Sequence, residues 1–169
     1  ALEKMGANFE LDHGVLIGKT DGLNGVEINL PYASVGATEN TLLAAVLANG
    51  RTVIENAARE PEIVDIVNML IKMGANISGA GTSEIIVEGV DKLNPTDHEI
   101  IGDRIAAGTF LAAILSTKGS GIVNGINPEH LPMELKKLGE MGAKIDSTET
   151  SINIEYRDNL QSIELSTLP

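Results

Sequence analysis

Apolar residues recur along this chain in short blocks of two kinds. Ile63, Val67, Leu70 and Ile71 stand three and four apart, the period of one helix face. Pro61 precedes them, a residue suited to a helix's first turn, and Gly74 follows them as a left-handed cap. Leu42–Leu47 and Phe110–Leu115 are rich in Ala and Leu and predict buried helices, with Gly50 and Gly119 placed as their C-caps. These two helices are apolar nearly all round, which predicts burial on more than one side. Thr52–Glu55 and Ile122–Val123 are β-branched and predict strands. Asn76–Ser78 leads into Glu84–Glu88 around Gly79, Gly81 and Thr82, a hairpin pattern, and Lys144–Asp146 into Ser151–Glu155 repeats it. Further strands are predicted at Val26–Leu30, Glu99–Ile101 and Ile163–Leu165.

The blocks repeat as a set. LEKMGANFE at 2–10, LIKMGANIS at 70–78 and LGEMGAKID at 138–146 place Met5, Met73 and Met141 at a constant spacing of 68 residues. LLAAVLA at 42–48 matches FLAAILS at 110–116 with the same offset, and Asp103-Arg104 falls about one period after Val35-Gly36. A second proline-led helix is predicted from Pro128, and Gly142 ends it as Gly74 ends the first. Each unit reads strand-helix-strand-helix-strand-strand, an α/β (α+β) layer of one sheet with helices on one face. The chain begins inside a helix and ends at Leu168–Pro169, which matches Leu30–Pro31. It is expected to be an internal piece of a longer repeat protein, and an open half-unit predicts self-association.

Composition narrows the chemistry. With 24 acidic and 12 basic residues the net charge is −12, a poor surface for nucleic acid or anionic lipid. The cysteine count is 0, so disulfides, thiolate metal sites and a cysteine nucleophile are excluded from these residues. No apolar run approaches the roughly 18 residues of a membrane span, and no secretory signal pattern opens the chain. His13, His98 and His130 show no metal-ligand spacing and read as loop residues facing solvent. Gly79–Glu84 lacks dinucleotide-loop spacing.

Ser34-Val35-Gly36-Ala37-Thr38 is the candidate binding element. It opens a helix, where unpaired amides and the helix dipole hold an anion without a lysine. Gly36 lets a ligand approach the backbone. The same residues also fit an ordinary serine N-cap beside a packing glycine. Arg59-Glu60-Pro61-Glu62 lies at a strand-to-helix turn, where the helix dipole alone favours the two glutamates. Asp103 is a good N-cap by residue type.

SVGATENTLLAAVLANGRTVIENAAREPEI at 34–63, the run on to Asp65, and DRIAAGTFL at 103–111 resemble the UDP-N-acetylglucosamine enolpyruvyl transferases of peptidoglycan synthesis. The resemblance covers the whole chain, Leu2 to Pro169, yet well under half of a full-length member. It implies a partial inside-out α/β barrel of repeated units. Residues 1–101 would be one and a half units of a first lobe, and 102–169 the first unit of a second. It implies transfer of enolpyruvyl from phosphoenolpyruvate to the 3-hydroxyl of UDP-N-acetylglucosamine, without metal or organic cofactor, in the bacterial cytoplasm. Tyr32, Ser34, Val35 and Gly36 would contact the uridine diphosphate. Tyr32 stands where some members carry lysine, so a hydroxyl or stacking contact would replace the charged one. Arg59 and Glu60 would line the cleft, and Asp103 and Arg104 would serve closure of the lobes. By the resemblance, the catalytic cysteine loop would lie upstream of Leu2 and the aspartate base downstream of Pro169, so no catalytic residue is expected here. The alternatives are an enolpyruvylshikimate phosphate synthase-like enzyme and a non-catalytic repeat module that binds a ligand or partner.

Overall fold

The computed structural model describes residues 1–158 and 160–165. The chain folds as two compact units, Ala1–His98 and a second that begins at Glu99.

The first unit opens with an antiparallel hairpin, β1 (Asn8–Asp12) and β2 (Val15–Lys19). Its main layer runs β3 (Glu27–Asn29), α1 (Val35–Ala45), β4 (Arg51–Glu55), α2 (Pro61–Lys72), β5 (Asn76–Ser78) and β6 (Glu84–Glu88). The sheet order is β3-β4-β6-β5, with β3 parallel to β4 and the other pairs antiparallel. Register sets the buried face: Ile28, Ile54 and Ile85 form one row across the sheet, and Thr52, Val87 and Ile77 the next. Alternate residues such as Glu27, Glu55 and Glu84 stand on the exposed face, as the two-residue strand period requires. Leu42 and Ala45 of α1 and Ile63, Val67 and Leu70 of α2 pack into the same core.

The second unit carries α3 (Arg104–Ser116), β7 (Ser120–Asn124), a 3₁₀ turn Pro128–His130, α4 (Pro132–Glu140), β8 (Lys144–Ser147) and β9 (Ser151–Glu155). Its sheet is β7-β9-β8, antiparallel throughout. Ile152 and Ile154 of β9 meet Leu111 and Leu115 of α3 in a smaller aliphatic core.

The repeat is visible as geometry. Gly6, Gly74 and Gly142 take φ of +105°, +103° and +102°. Behind each, an alanine amide (Ala7, Ala75, Ala143) donates to a leucine carbonyl five residues back (Leu2, Leu70, Leu138) at 3.0, 2.9 and 3.2 Å; the latter two close α2 and α4, whereas Leu2–Gly6 is a turn and not the helix expected at the start of the chain. The methionine carbonyl of each phrase then accepts from a later loop amide: Met5 from Asn24 at 2.9 Å, and Met73 from Asn94 and Met141 from Gln161, both at 2.8 Å.

Several local expectations are corrected. Glu99–Ile101 and Ile163–Leu165 are not strands. Apolar, branched composition makes a strand only beside a ladder partner, and Ile100 and Leu165 are exposed instead. Gly50 and Gly119 are not helix C-caps. Helix α1 already ends at Ala45, and after α3 the left-handed residue is Lys118, at φ +55°. Pro128 begins only the short 3₁₀ turn, and the helix starts at Pro132. A residue before proline avoids the helical region, and Leu131 sits at φ −130°, ψ 39°. Helices α1 and α3 are not buried on more than one side among the described residues: Leu43 of α1 and Ile105 and Phe110 of α3 are exposed. The predicted match of Leu168–Pro169 to Leu30–Pro31 lies outside the described residues.

Candidate functional site

Because β3 and β4 are parallel, their carboxyl ends open at one edge of the sheet, the edge where open α/β sheets collect ligands. Two loops leave that edge: Leu30–Ser34, which leads into α1, and Asn56–Glu60, which leads into α2.

Ser34 is the N-cap of α1, in extended conformation at φ −87°, ψ 122°. Its Oγ accepts the Ala37 amide at 3.2 Å, and its carbonyl accepts the Thr38 amide at 2.9 Å and the Thr38 hydroxyl at 2.8 Å. Among the described residues the amides of Val35 and Gly36 make no such bond, which leaves two donors at the positive end of the helix. Gly36 is exposed, and a Cβ built there meets no protein atom within 4 Å. Packing among the described residues therefore does not demand glycine at this point. Tyr32 is exposed beside it, while Val35 packs against the core.

The neighbouring loop is cross-tied to this helix start. The Leu30 amide donates to the Glu55 carbonyl at 3.0 Å, and Asn29 Nδ2 to Glu55 Oε2 at 2.9 Å. Asn56, left-handed at φ +54°, donates from Nδ2 to the Leu30 carbonyl at 3.0 Å. The buried Ala58 amide donates to Thr38 Oγ1 at 3.0 Å. Beyond this tie Arg59 is exposed and its amide donates to Glu60 Oε2 at 2.8 Å, so Glu60 spends one carboxylate oxygen on its own loop. Tyr32, Ser34, Val35, Gly36 and Glu60 thus lie on two adjoining loops of the first unit. Asn56, which joins those loops, is not singled out in the sequence, and Thr38 enters there only as the last residue of the helix start, not as a tie between loops. The available signal was the difference between the repeats at those two positions.

Asp103 and Arg104 open α3 in the second unit. Asp103 caps with a carboxylate: Oδ1 accepts the Ile105 amide at 2.8 Å and the Ala106 amide at 3.1 Å. Two amides are consumed and a negative charge is set at the helix start. This is the opposite of the neutral, half-open seat at Ser34. Structurally Asp103 corresponds to Ser34, and Arg104 to Val35, one position away from the sequence alignment.

Not all the histidines face solvent. The His98 side chain is only 8% exposed and is paired with Asp65, and His130 Nδ1 is buried without a partner among the described residues. Among those residues no group of three or more His, Cys, Asp or Glu side chains is placed to hold a metal ion. No described helix is long and apolar enough to cross a membrane.

Comparison with known proteins adds chemistry to this geometry. Residues 1–169 match the family described as EPSP synthase (3-phosphoshikimate 1-carboxyvinyltransferase). The chain is 49% identical over 168 residues to a UDP-N-acetylglucosamine 1-carboxyvinyltransferase of Corynebacterium jeikeium, covering 99% of this chain and 40% of the relative. It is 46% identical, over the same shares, to UDP-N-acetylglucosamine 1-carboxyvinyltransferase 2 of Staphylococcus saprophyticus. Among solved structures, the enolpyruvyl transferase NikO from Streptomyces tendae superposes with a TM-score of 0.80 at 21% identity, over 93% of this chain and 41% of that one. An EPSP synthase from Acinetobacter baumannii gives 0.63 at 23% identity, over 97% and 40%. These two show the shared fold.

Proposed function

Because the chain belongs to the EPSP synthase (3-phosphoshikimate 1-carboxyvinyltransferase) family and spans about 40% of the length of the curated relatives it matches, we propose that it is part of a UDP-N-acetylglucosamine 1-carboxyvinyltransferase. The reaction adds the sugar 3-hydroxyl oxygen to C2 of phosphoenolpyruvate while C3 gains a proton. Loss of phosphate from C2 and of a proton from C3 then restores the double bond, giving the first committed step of peptidoglycan synthesis.

In this reading the chain binds and orients; the catalytic groups lie elsewhere in the polypeptide. The diphosphate sits on the free Val35 and Gly36 amides, with Ser34 and Tyr32 at its sides. Glu60, with one carboxylate oxygen not used by the Arg59 amide, accepts a hydrogen bond from the sugar. Residues 1–101 belong to one lobe and 102–169 open the second, where Asp103 and Arg104 serve closure. Neither phosphate backbones nor membranes are partners, the isolated chain self-associates through exposed residues such as Phe110 and Ile105, and the parent works in the bacterial cytoplasm.

The observation that carries the proposal is the pair of amides, unspent among the described residues, beside an exposed glycine that no packing among those residues requires. Identity of 46–49% to the sugar-nucleotide enzymes favours this substrate over a shikimate phosphate, since the solved EPSP synthases are 23–24% identical and the family model spans the chain without separating the two substrates. The test is phosphate release by the full-length polypeptide that contains this chain. Release from phosphoenolpyruvate with UDP-N-acetylglucosamine supports the reading; release only with shikimate 3-phosphate replaces it.

A further inference from the structure

The duplicated unit contains its own control. Ser34 and Asp103 cap equivalent helices, so Thr38 and Ala107 occupy the same buried position, 0% and 4% exposed. Asn56 and Gly125 follow equivalent strands, and both are left-handed, at φ +54° and +78°. In the second unit the hydroxyl and the amide side chain are gone, yet helix, strand and turn persist. The unit fold therefore does not require them.

What differs beside them is the loop. From the left-handed residue the chain needs five steps to reach Pro61 in the first unit and three to reach Pro128 in the second. Buried Ala57 matches buried Ile126; measured to the prolines the first loop is two residues longer, with Ala58 and Arg59 unmatched, and measured to buried Ile63 and Leu131 it is one residue longer. Thr38 receives the Ala58 amide, and Asn56 ties the start of the same loop to Leu30.

We propose that Thr38 and Asn56 are positioning residues, a clamp that fixes the spacing between the amide seat at Val35–Gly36 and the inserted loop that presents Arg59 and Glu60. The inference rests on the sugar-nucleotide reading of the site. One loop meets the diphosphate and the other the sugar, so the clamp sets how much affinity the sugar adds to that of the nucleotide. Without it each loop still binds, but the two no longer engage one rigid ligand together.

The test compares UDP with UDP-N-acetylglucosamine by calorimetric titration of the full-length polypeptide. Asn56→Gly keeps a residue that accepts positive φ, and Thr38→Ala imports the residue of the second unit. Asn56→Gly is expected to leave UDP affinity within about twofold, and both variants are expected to lower the preference for UDP-N-acetylglucosamine over UDP by about tenfold. Thr38→Ser keeps the hydroxyl and is expected to restore the preference. A preference unchanged in Asn56→Gly and Thr38→Ala, with melting transitions showing both folded, overturns the clamp. If Gly36→Asp weakens UDP binding in that case, the seat stands and only the clamp falls. A wild-type protein that binds neither ligand removes both.

Discussion

His98 donates from Nε2 to Asp65 Oδ1 at 3.0 Å, with the two side chains only 8% and 14% exposed. Lys72 Nζ lies 3.4 Å from Nδ1 of the same ring. An ammonium only donates, so Nδ1 accepts and Nε2 carries the proton that reaches Asp65. The bond fastens the segment that leaves β6 onto α2 just before the second unit begins. His98→Ala or Asp65→Ala is expected to cost about 1.5–3 kcal/mol, the usual range for a hydrogen bond to a charged group. Lys72→Met costs less, since Lys72 is exposed. Urea denaturation midpoints of the three variants check the order; an equal loss from all three contradicts it.

Gly36 sets stability against binding. Alanine has open space there and is a better helix former, so Gly36→Ala is expected to gain up to about 1 kcal/mol. The same methyl obstructs a ligand on the Val35 and Gly36 amides, and Gly36→Asp adds a repelling charge. Affinity for UDP-N-acetylglucosamine should fall in both variants, by at least about tenfold in Gly36→Asp. Calorimetric titration beside thermal melting checks both halves, and unchanged affinity in Gly36→Asp removes Gly36 from the site.

Gly89 makes the opposite case, where the protein itself forbids a side chain. A Cβ there lies 1.7 Å from the Ala48 carbonyl oxygen, a backbone atom with no room to yield. Gly89→Ala must spread the β6 exit from the turn after α1, and the Gly89 amide bond to the Gly50 carbonyl at 2.9 Å goes with it. A loss of roughly 2–4 kcal/mol is expected from overpacking and a broken bond together. Chemical denaturation measures it, and a loss under about 1 kcal/mol shows that the backbone yields there.

Glu140 at the end of α4 titrates below the ordinary glutamate range. The cause is first the hydrogen bond from Lys137 at 2.9 Å, then the charges of Lys137 and Lys136. A depressed carboxylate contributes its stability in full above the unfolded-state value, and loses it as pH falls through the lower folded value. Lys137→Met should return the Glu140 midpoint toward that of a free glutamate in a carboxyl NMR titration. An unmoved midpoint assigns the depression to Lys136.

Periodicity revealed much of the fold because it records which residues share a face. The 68-residue phrase spacing, both later hairpins and the helix ends before Gly74 and Gly142 stand where the residues placed them. It failed where the outcome depends on a partner distant in sequence. Glu99–Ile101 has strand-like residues and no ladder. Lys118 takes the left-handed turn beside the glycine that looked made for it. The candidate site divides the same way. Ser34 as an N-cap follows from residue type and neighbours. The clamp of Thr38 on Ala58 joins residues 20 positions apart, and its meaning appears only when the second unit shows the same framework without it.

What residue order determined alone was the repeated building block and the polar helix start within it, since both arise from interactions a few residues long. Which amides at that start remain unspent, and which loop is held beside them, the tertiary structure decided. The reason is that a hydrogen-bonding group has limited capacity, and how it is used depends on whatever the folded chain brings within about 3 Å.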